Sequence, residues 1–390
     1  MKVGFITNLR APYRTLQLNE YSSIEDIKLT AYYTDKPNEN RKWKIANNIK
    51  FKEVDLRGYK LFKDYGYLNN GLINIVRNND VVILGCYEQP TYILLSILCR
   101  IFNKPYILSF DGIGTDRIVD SENKFKKFLK KIVINGARYI MGNGKVSKEY
   151  FSKVFNYDGG KIYNQYLTVD TETINELYKN REVYRQQYRK ALNIEKDEKV
   201  LIYSGRLISV KNVKAVIRAL AELGDEKITL LITGGGELES EVKEMANILN
   251  VKVIVTGFIR EQQQLFKHYF AGDALILPST YEPWGLVINE AMAAGLPVIV
   301  SKLCGCSMDL VEAGKNGYLI DPYNINDISE KISKVFRDNN LQIMGDESKK
   351  LISSWTFKSS KENLNIILKK IYDTKVNRGK KSRVLGGLHE

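Results

Sequence analysis

Short runs of aliphatic and β-branched residues recur along the chain, each followed by a polar or Gly-rich loop and then by a longer segment with helical spacing. In the first half the runs are KVGFI, LTAYY, VVILG, YILSF and RYIM. In the second half they are VLIYSG, ITLLITG, VKVIVTG, ALILPS, PVIVS and GYLI. Strands alternating with helices predict parallel sheets covered on both faces, the α/β class. Several runs end in glycine just ahead of a helix, which predicts ligand loops at the carboxyl edge of a doubly wound sheet.

The polar stretch VDTETINELYKNREVYRQQYRKALNIEKDEK interrupts this rhythm and lacks the apolar density of either half. It predicts an interdomain connection over 166–198, between a first domain at 1–165 and a second at 199–354. A length of 390 residues agrees with two domains of ~150–200 residues each. Residues 355–390 read as a helix that carries Leu364, Ile367 and Tyr372 near one face and packs back on the first domain, followed by a basic tail. The longest apolar stretch, YILLSILCRIF, is broken by Arg100 and falls short of the ~20 residues that cross a bilayer. The opening MKVGFITNLRAPYR reads as a buried strand, its apolar run being too brief for a secretory signal.

Composition narrows the chemistry. Four cysteines (Cys86, Cys99, Cys304, Cys306) and two histidines supply neither a disulfide framework nor zinc spacing. They predict reduced core or turn residues in a cytoplasmic protein, with no metal site. The formal net charge of +14 points to an anionic partner: nucleic acid, an acidic lipid surface or a phosphorylated small molecule.

The segment ALILPSTYEPWGLVINEAMAAGLPVIVS predicts a strand, a loop holding Glu282, a helix from about Gly285 holding Glu290, and a second strand. A helix start attracts anions, while carboxylates accept hydrogen bonds from hydroxyl groups. A ligand with both phosphates and sugars would meet both demands. Spacing alone equally allows a solvated loop acid and a helix-dipole partner. In YSGRLISVKNV, Arg206 follows a strand end and Lys211 precedes a helix, a fork and a point charge suited to a diphosphate. TGGGELE places Gly234, Gly235 and Gly236 at another strand-to-helix junction. It lacks the third glycine of a dinucleotide fingerprint, because Glu239 stands there.

In this order, Arg206 and Lys211, the glycine loop, VTGFIR, EPWGLVINEAMAAGLPVIVS and CGCSMDLVEAGKNGYLIDP resemble the nucleotide-binding half of the family 4 retaining glycosyltransferases. The resemblance implies two Rossmann-like domains facing a central cleft, the GT-B architecture. It implies a nucleotide-sugar donor, a UDP-sugar ahead of a GDP-sugar, and no other cofactor. On the same ground Arg206 and Lys211 would hold the diphosphate, Glu282 the transferred sugar and Glu290 the ribose. The backbone of Gly285, Leu286 and Val287 would meet the donor at the helix start, Gly257, Phe258 and Ile259 would lie near the base, and Gly234 would let the chain approach it. Catalysis is expected to be metal-independent, with Glu282, Arg206 and Lys211 taking part. The first domain departs from the commoner pattern, having TNLRAPYR and SFDGIGTD in place of a Gly-rich loop and a histidine, and APYR resembles a bacterial surface-polysaccharide subgroup. Asp111 is nominated as its acceptor-side or catalytic residue, and Arg14 as a cation reaching the donor phosphates.

Finally, ENKFKKFLKKIVING at 122–136 places Phe125, Phe128, Leu129 and Ile132 on one helical face and crowds lysines on the rest. Such a helix suits either an anionic membrane surface or an inward-packed position with a solvated basic face. The reading is a cytoplasmic, membrane-peripheral transferase acting on a glycan or lipid-linked acceptor. A phosphorylase of the same architecture is the alternative. A nucleic-acid binder is a further one, against which stands the lack of a P-loop: GNGKVS has Val146 where Ser or Thr is needed.

Overall fold

A computed structural model describes residues 1–8, 10–35, 48–60, 66–118, 123–224, 227–337 and 340–386. The strands of the first half are β1 (Lys2–Thr7), β2 (Lys28–Tyr33), β3 (Lys52–Asp55), β4 (Gly58–Lys60), β5 (Tyr67–Asn69), β6 (Val81–Leu84), β7 (Tyr106–Phe110), β8 (Tyr139–Gly142) and β9 (Ile162–Asn164). Those of the second are β10 (Lys199–Ser204), β11 (Ile228–Thr233), β12 (Val253–Val255), β13 (Ala274–Leu277), β14 (Val298–Ser301) and β15 (Gly317–Ile320). They form a seven-stranded parallel sheet, β3-β2-β1-β6-β7-β8-β9, and a six-stranded one, β12-β11-β10-β13-β14-β15, while β4 and β5 pair as an antiparallel ribbon. The central strands are buried on both sides, which is why they read as unbroken apolar runs.

Strand order reverses between β1 and β6 in the first sheet and between β10 and β13 in the second. At such reversals adjacent loops diverge above the carboxyl ends of the strands and leave a crevice. The two crevices face each other. Lys145 donates its backbone N–H to Asp309 at 2.9 Å and its ammonium to the Met308 carbonyl at 2.9 Å. A Cβ on Gly112 would lie 2.5 Å from the Pro283 carbonyl oxygen, so only glycine allows this approach of the two domains.

The helices Thr171–Tyr178 and Arg181–Ala191, from the polar connection, dock on the second domain. Ile174 joins a core with Phe270 and Met292, and the buried Arg189 binds the Ala271 carbonyl and the Asp273 carboxylate, each at 2.9 Å. The last helix, Phe357–Gly386, returns to the first sheet and buries Leu364, Ile367, Leu368 and Ile371 beside Leu18, Tyr21 and Ile83. Tyr372, expected on that face, is 57% exposed. The inward stripe runs through Ile371, and one residue further the ~100° helical advance turns the side chain to solvent.

The Lys124–Gly136 helix does not pack Phe125 and Phe128 inward, as the second of its two expected placements would require; residue 122 lies outside the described residues. Its inward residues are Lys130, Val133 and Ile134, whereas Phe125 and Phe128 are 68% and 60% exposed, with Leu129 and Ile132 half-buried. Lys130, expected on the solvated basic face, is 6% exposed and reaches Glu88 at 2.8 Å, its ammonium 5.4 Å from the Tyr87 ring centre. A carboxylate and an aromatic face together satisfy the ammonium, so its four-carbon stem can pack inward.

Both crossings between the domains meet at one cluster. Trp284, from the loop after β13, stacks on Trp355 with ring centres 5.2 Å apart and planes at 21°. Trp355 Nε1 donates to the Leu167 carbonyl at 2.8 Å, and Asn289 Nδ2 donates to the same oxygen at 3.3 Å. Trp284 Nε1 donates to Asn289 Oδ1 at 2.9 Å. Trp355 is buried, and its truncation to alanine is expected to destabilise the protein by about 3–5 kcal/mol. Urea denaturation followed by circular dichroism measures this, and a loss under about 1 kcal/mol would remove the cluster from any structural role.

Candidate functional site

In the second domain the loops at the carboxyl ends of the strands lie in a row, and glycine lets them nest. A Cβ on Gly234 would come within 1.9 Å of the Gly205 carbonyl oxygen, and one on Gly236 within 2.4 Å of the Leu207 oxygen. Gly234 therefore holds the loop after β11 against the loop after β10. The next loop outward brings the Phe258 backbone N–H to 3.9 Å from a Cβ built on Gly235, with Gly257 at a φ of +73° and the Phe258 side chain 55% exposed. Gly257, Phe258 and Ile259 thus flank the glycine loop, one strand further from the switch point.

At the switch point itself, Lys211 from the loop after β10 forms an ion pair with Glu282 from the loop after β13. Their side chains are 18% and 15% exposed. Two residues far apart in sequence meet because they end neighbouring strands of the sheet. Arg206 lies on the same loop as Lys211, exposed, and its carbonyl accepts the Tyr203 hydroxyl at 2.8 Å. The Glu282 carbonyl accepts the Gly305 N–H at 2.9 Å, which ties the acid's backbone to the CGC turn.

The helix Leu286–Ala293 begins immediately after this loop, with Gly285 as its N-cap at a φ of +102°. A Cβ there would be strained by backbone conformation and would lie 2.8 Å from Leu277 Cδ2. The N–H groups of Gly285, Leu286 and Val287 lie at the start of this helix, where amides without intrahelical partners and the helix dipole favour an anion. Glu290, one turn on, is buried and accepts the Tyr269 hydroxyl at 2.6 Å. Burial pushes its carboxyl up to about 7, and the Tyr269 bond offsets this only in part.

On the facing domain, Asp111 follows β7 and accepts Gln165 Nε2 at 2.8 Å, the Tyr13 hydroxyl at 2.9 Å and the Arg14 guanidinium. Burial alone would raise its carboxyl, but Arg14 beside it and these bonds hold it below the ordinary aspartate value. Its side chain stays 37% exposed to the cleft. Arg14, expected to reach across the cleft, is held inside the first domain. It is 3% exposed and committed to Asp111 and Gln17, its guanidinium over the Phe5 ring, because the helix opened by Pro12 turns it inward. Sequence reasoning missed Tyr13, Gln165, Tyr269 and Asn143, whose Nδ2 donates to the Asp111 carbonyl at 3.2 Å. Two tyrosines and two amides carry no spacing signal, although Tyr13 stands beside Arg14 in the APYR motif.

Among the described residues, no group of three or more His, Cys, Asp or Glu side chains is gathered to hold a metal ion. His268 bonds its own helix at the Gln264 carbonyl, and His389 lies outside the described residues. A cavity of about 990 Å³, lined by Met1, Arg100, Tyr106, Arg138 and Ile371 among others, opens at the amino ends of the first sheet's strands. It is remote from these loops.

Residues 184–351 match the family described as Glycosyl transferases group 1. The chain is 26% identical over 262 residues to an uncharacterised glycosyltransferase of Methanocaldococcus jannaschii, covering 66% of each chain. It is 26% identical over 317 residues to an N-acetyl-alpha-D-glucosaminyl L-malate synthase of Bacillus anthracis, covering 79% of this chain and 80% of that one. With a D-inositol 3-phosphate glycosyltransferase of Corynebacterium jeikeium it shares 30% over 192 residues, or 46% of this chain and 45% of the other. The chain thus spans less than two thirds of the length of several curated relatives it matches. Its fold is that of the Anabaena protein HepE, solved in complex with UDP-glucose: the TM-score is 0.70 at 19% identity, covering 95% of this chain and 100% of that one. The architecture is GT-B.

Glu290 makes stability depend on pH. Its folded-state pKa of about 7 lies above the ordinary glutamate value of 4.5, so its contribution is full below the lower value and is lost as pH rises through the higher. Between pH 5 and pH 8 the protein is expected to lose roughly 2–3 kcal/mol relative to its Glu290→Gln variant. Parallel urea titrations check this, and equal slopes for the two proteins would contradict it.

Proposed function

We propose, from the group 1 match over residues 184–351 and the geometry of the β10–β13 switch point, that the chain is a retaining glycosyltransferase. It moves a sugar from a nucleoside diphosphate sugar, UDP-linked ahead of GDP-linked, to a hydroxyl of a glycan or lipid-linked saccharide in cell-surface polysaccharide synthesis. The observation that carries the reading is the Lys211–Glu282 pair beside the start of the Leu286–Ala293 helix. It sets a cation for phosphate and an acid for hydroxyls in contact, as a ligand with both groups requires. The donors of UDP-glucose type named for the Anabaena structure support the nucleotide class. The three curated relatives above carry transferase or synthase names, which favours transfer over phosphorolysis.

In this reading the diphosphate lies between Arg206, Lys211 and the backbone N–H groups of Gly285, Leu286 and Val287. These charges and dipoles stabilise the negative charge that grows on the leaving diphosphate and stand in for a metal ion. Glu282 accepts hydrogen bonds from the transferred sugar and Glu290 from the ribose. Gly257, Phe258 and Ile259 border the base, and Gly234 keeps the neighbouring backbone close. The acceptor enters from the Asp111 side. Asp111, held by Arg14, Gln165 and Tyr13, stays ionised and accepts a hydrogen bond that orients a hydroxyl; it does not take up the proton. As the bond from the anomeric carbon to the diphosphate breaks, the acceptor oxygen bonds to that carbon on the same face, and the departing phosphate oxygen takes the proton. The protein works at the cytoplasmic face of a membrane, with the Lys124–Gly136 helix against anionic lipid. Among the described residues, no helix is long and apolar enough to cross it.

A thermal-shift panel of UDP, GDP, ADP and their sugars is expected to give the largest shift with a UDP-sugar. Lys211→Ala and Glu282→Ala are each expected to lower turnover of that donor at least ~100-fold. If no nucleotide shifts the protein, or both variants turn over as the parent does, the donor site lies elsewhere. Release of sugar 1-phosphate from a glycoside in phosphate buffer without nucleotide would instead establish a phosphorylase.

A further inference from the structure

The Pro90–Ile101 helix carries large aliphatic side chains on its outer face as well as packing its inner one into the core. Its inward face carries Thr91, Tyr92, Leu95, Ser96 and Cys99. The hydroxyls of Thr91 and Ser96 are satisfied there by the Tyr67 and Ile93 carbonyls, both at 2.7 Å. Its outward face carries Leu94, Ile97 and Ile101, which are 38%, 38% and 70% exposed. These residues fall at spacings of three and four, so they form one stripe along the helix. Single exposed aliphatics are ordinary, but a contiguous stripe of the largest ones is a mark of an interaction surface.

The stripe does not stand alone. The Lys124–Gly136 helix packs beside this one on the same face of the first sheet, and its Phe125 and Phe128 are exposed. Lys124, Lys126 and Lys131 are exposed around those rings, with Lys127 half-exposed and Arg100 exposed on the neighbouring helix. Neither helix contains an aspartate or glutamate. Glu88, ahead of the first of them, is engaged by the inward Lys130.

We infer that the outer face of the Pro90–Ile101 helix, together with Phe125 and Phe128, inserts into the interface of an anionic bilayer, with the surrounding lysines on the lipid headgroups. Aromatic and aliphatic side chains ringed by cations are what an interfacial site requires, the first for the acyl boundary and the second for the phosphates. A second copy of this chain is the poorer occupant, because a two-fold contact would press two acid-free basic surfaces together. The inference deepens the membrane contact proposed above and rests on it for the choice of anionic lipid. It moves the anchoring from charge on one helix to apolar insertion by two. Both helices start at the carboxyl ends of their preceding strands, so the bilayer would reach the mouth of the cleft. An acceptor held in the membrane could then meet the donor without leaving it.

Sedimentation of the full chain with vesicles of phosphatidylcholine, with and without phosphatidylglycerol, tests this. Binding is expected to need the anionic lipid, and Ile97→Ser/Ile101→Ser should weaken it at least ~10-fold. Tryptophan placed by Ile101→Trp should be quenched by brominated acyl chains. An unchanged melting temperature and unchanged hydrolysis of the UDP-sugar show that each variant is folded. If the serine variant binds as the parent does while Lys124→Gln/Lys126→Gln/Lys131→Gln releases it, insertion is wrong and the purely electrostatic contact of the proposed function stands. If no vesicle binds, both fall, whereas the nucleotide panel still decides the donor site separately. If the serine variant instead converts a dimer to a monomer by size exclusion, the face joins two copies and the inference is overturned.

Discussion

The structure depends on the place where the chain passes twice between its domains. At one crossing the Leu167 carbonyl accepts from both Trp355 and Asn289, and at the other Trp355 stacks on Trp284. The second domain thereby places the loop after β13 against the connection between the domains. Asn143 adds the facing side, accepting the Leu167 N–H at 2.9 Å while donating to the Asp111 carbonyl. A single buried cluster therefore connects the acid of the first domain, both crossings and the loop that carries Glu282. A relative rotation of the domains would have to disturb these bonds, and with them the loop that carries Glu282.

Much of this was legible in the sequence because parallel strands buried on both faces have to be apolar throughout. The runs VLIYSG, ITLLITG and ALILPS became β10, β11 and β13, with Arg206, Gly234 and Glu282 each in the loop that follows. The approach of Lys211 to Glu282 needs only the strand order of a doubly wound sheet. Side-chain direction was harder to read. Lys130 points inward because Glu88 and Tyr87, from another loop, make a place for its charge. Arg14 turns inward because Asp111 and Gln17 take its guanidinium. Periodicity reports which residues share a helix face, and it does not report which face a partner far along the chain will claim.

The two tryptophans of the crossing illustrate a signal that could have been used. The chain has three tryptophans in all, and one standing between proline and glycine in a loop is expensive to leave exposed. A buried partner was therefore to be expected for Trp284, although nothing in the spacing identifies Trp355 as that partner. Tyr269 offers no comparable sign. It lies in an amphipathic helix and becomes relevant only because β13 and its following helix carry Glu290 beneath it.

The contact between Lys211 and Glu282 has one further consequence. Each neutralises the other in a setting that is mostly shielded from water, so removing one partner leaves the other as a poorly solvated charge. A free phosphate would draw off the lysine and strand the carboxylate, while a neutral sugar would engage the carboxylate and leave the lysine without a counter-charge. In the proposed function, a molecule presenting phosphate and hydroxyl together replaces both halves at once, so the pair would act as an interlock that requires two keys.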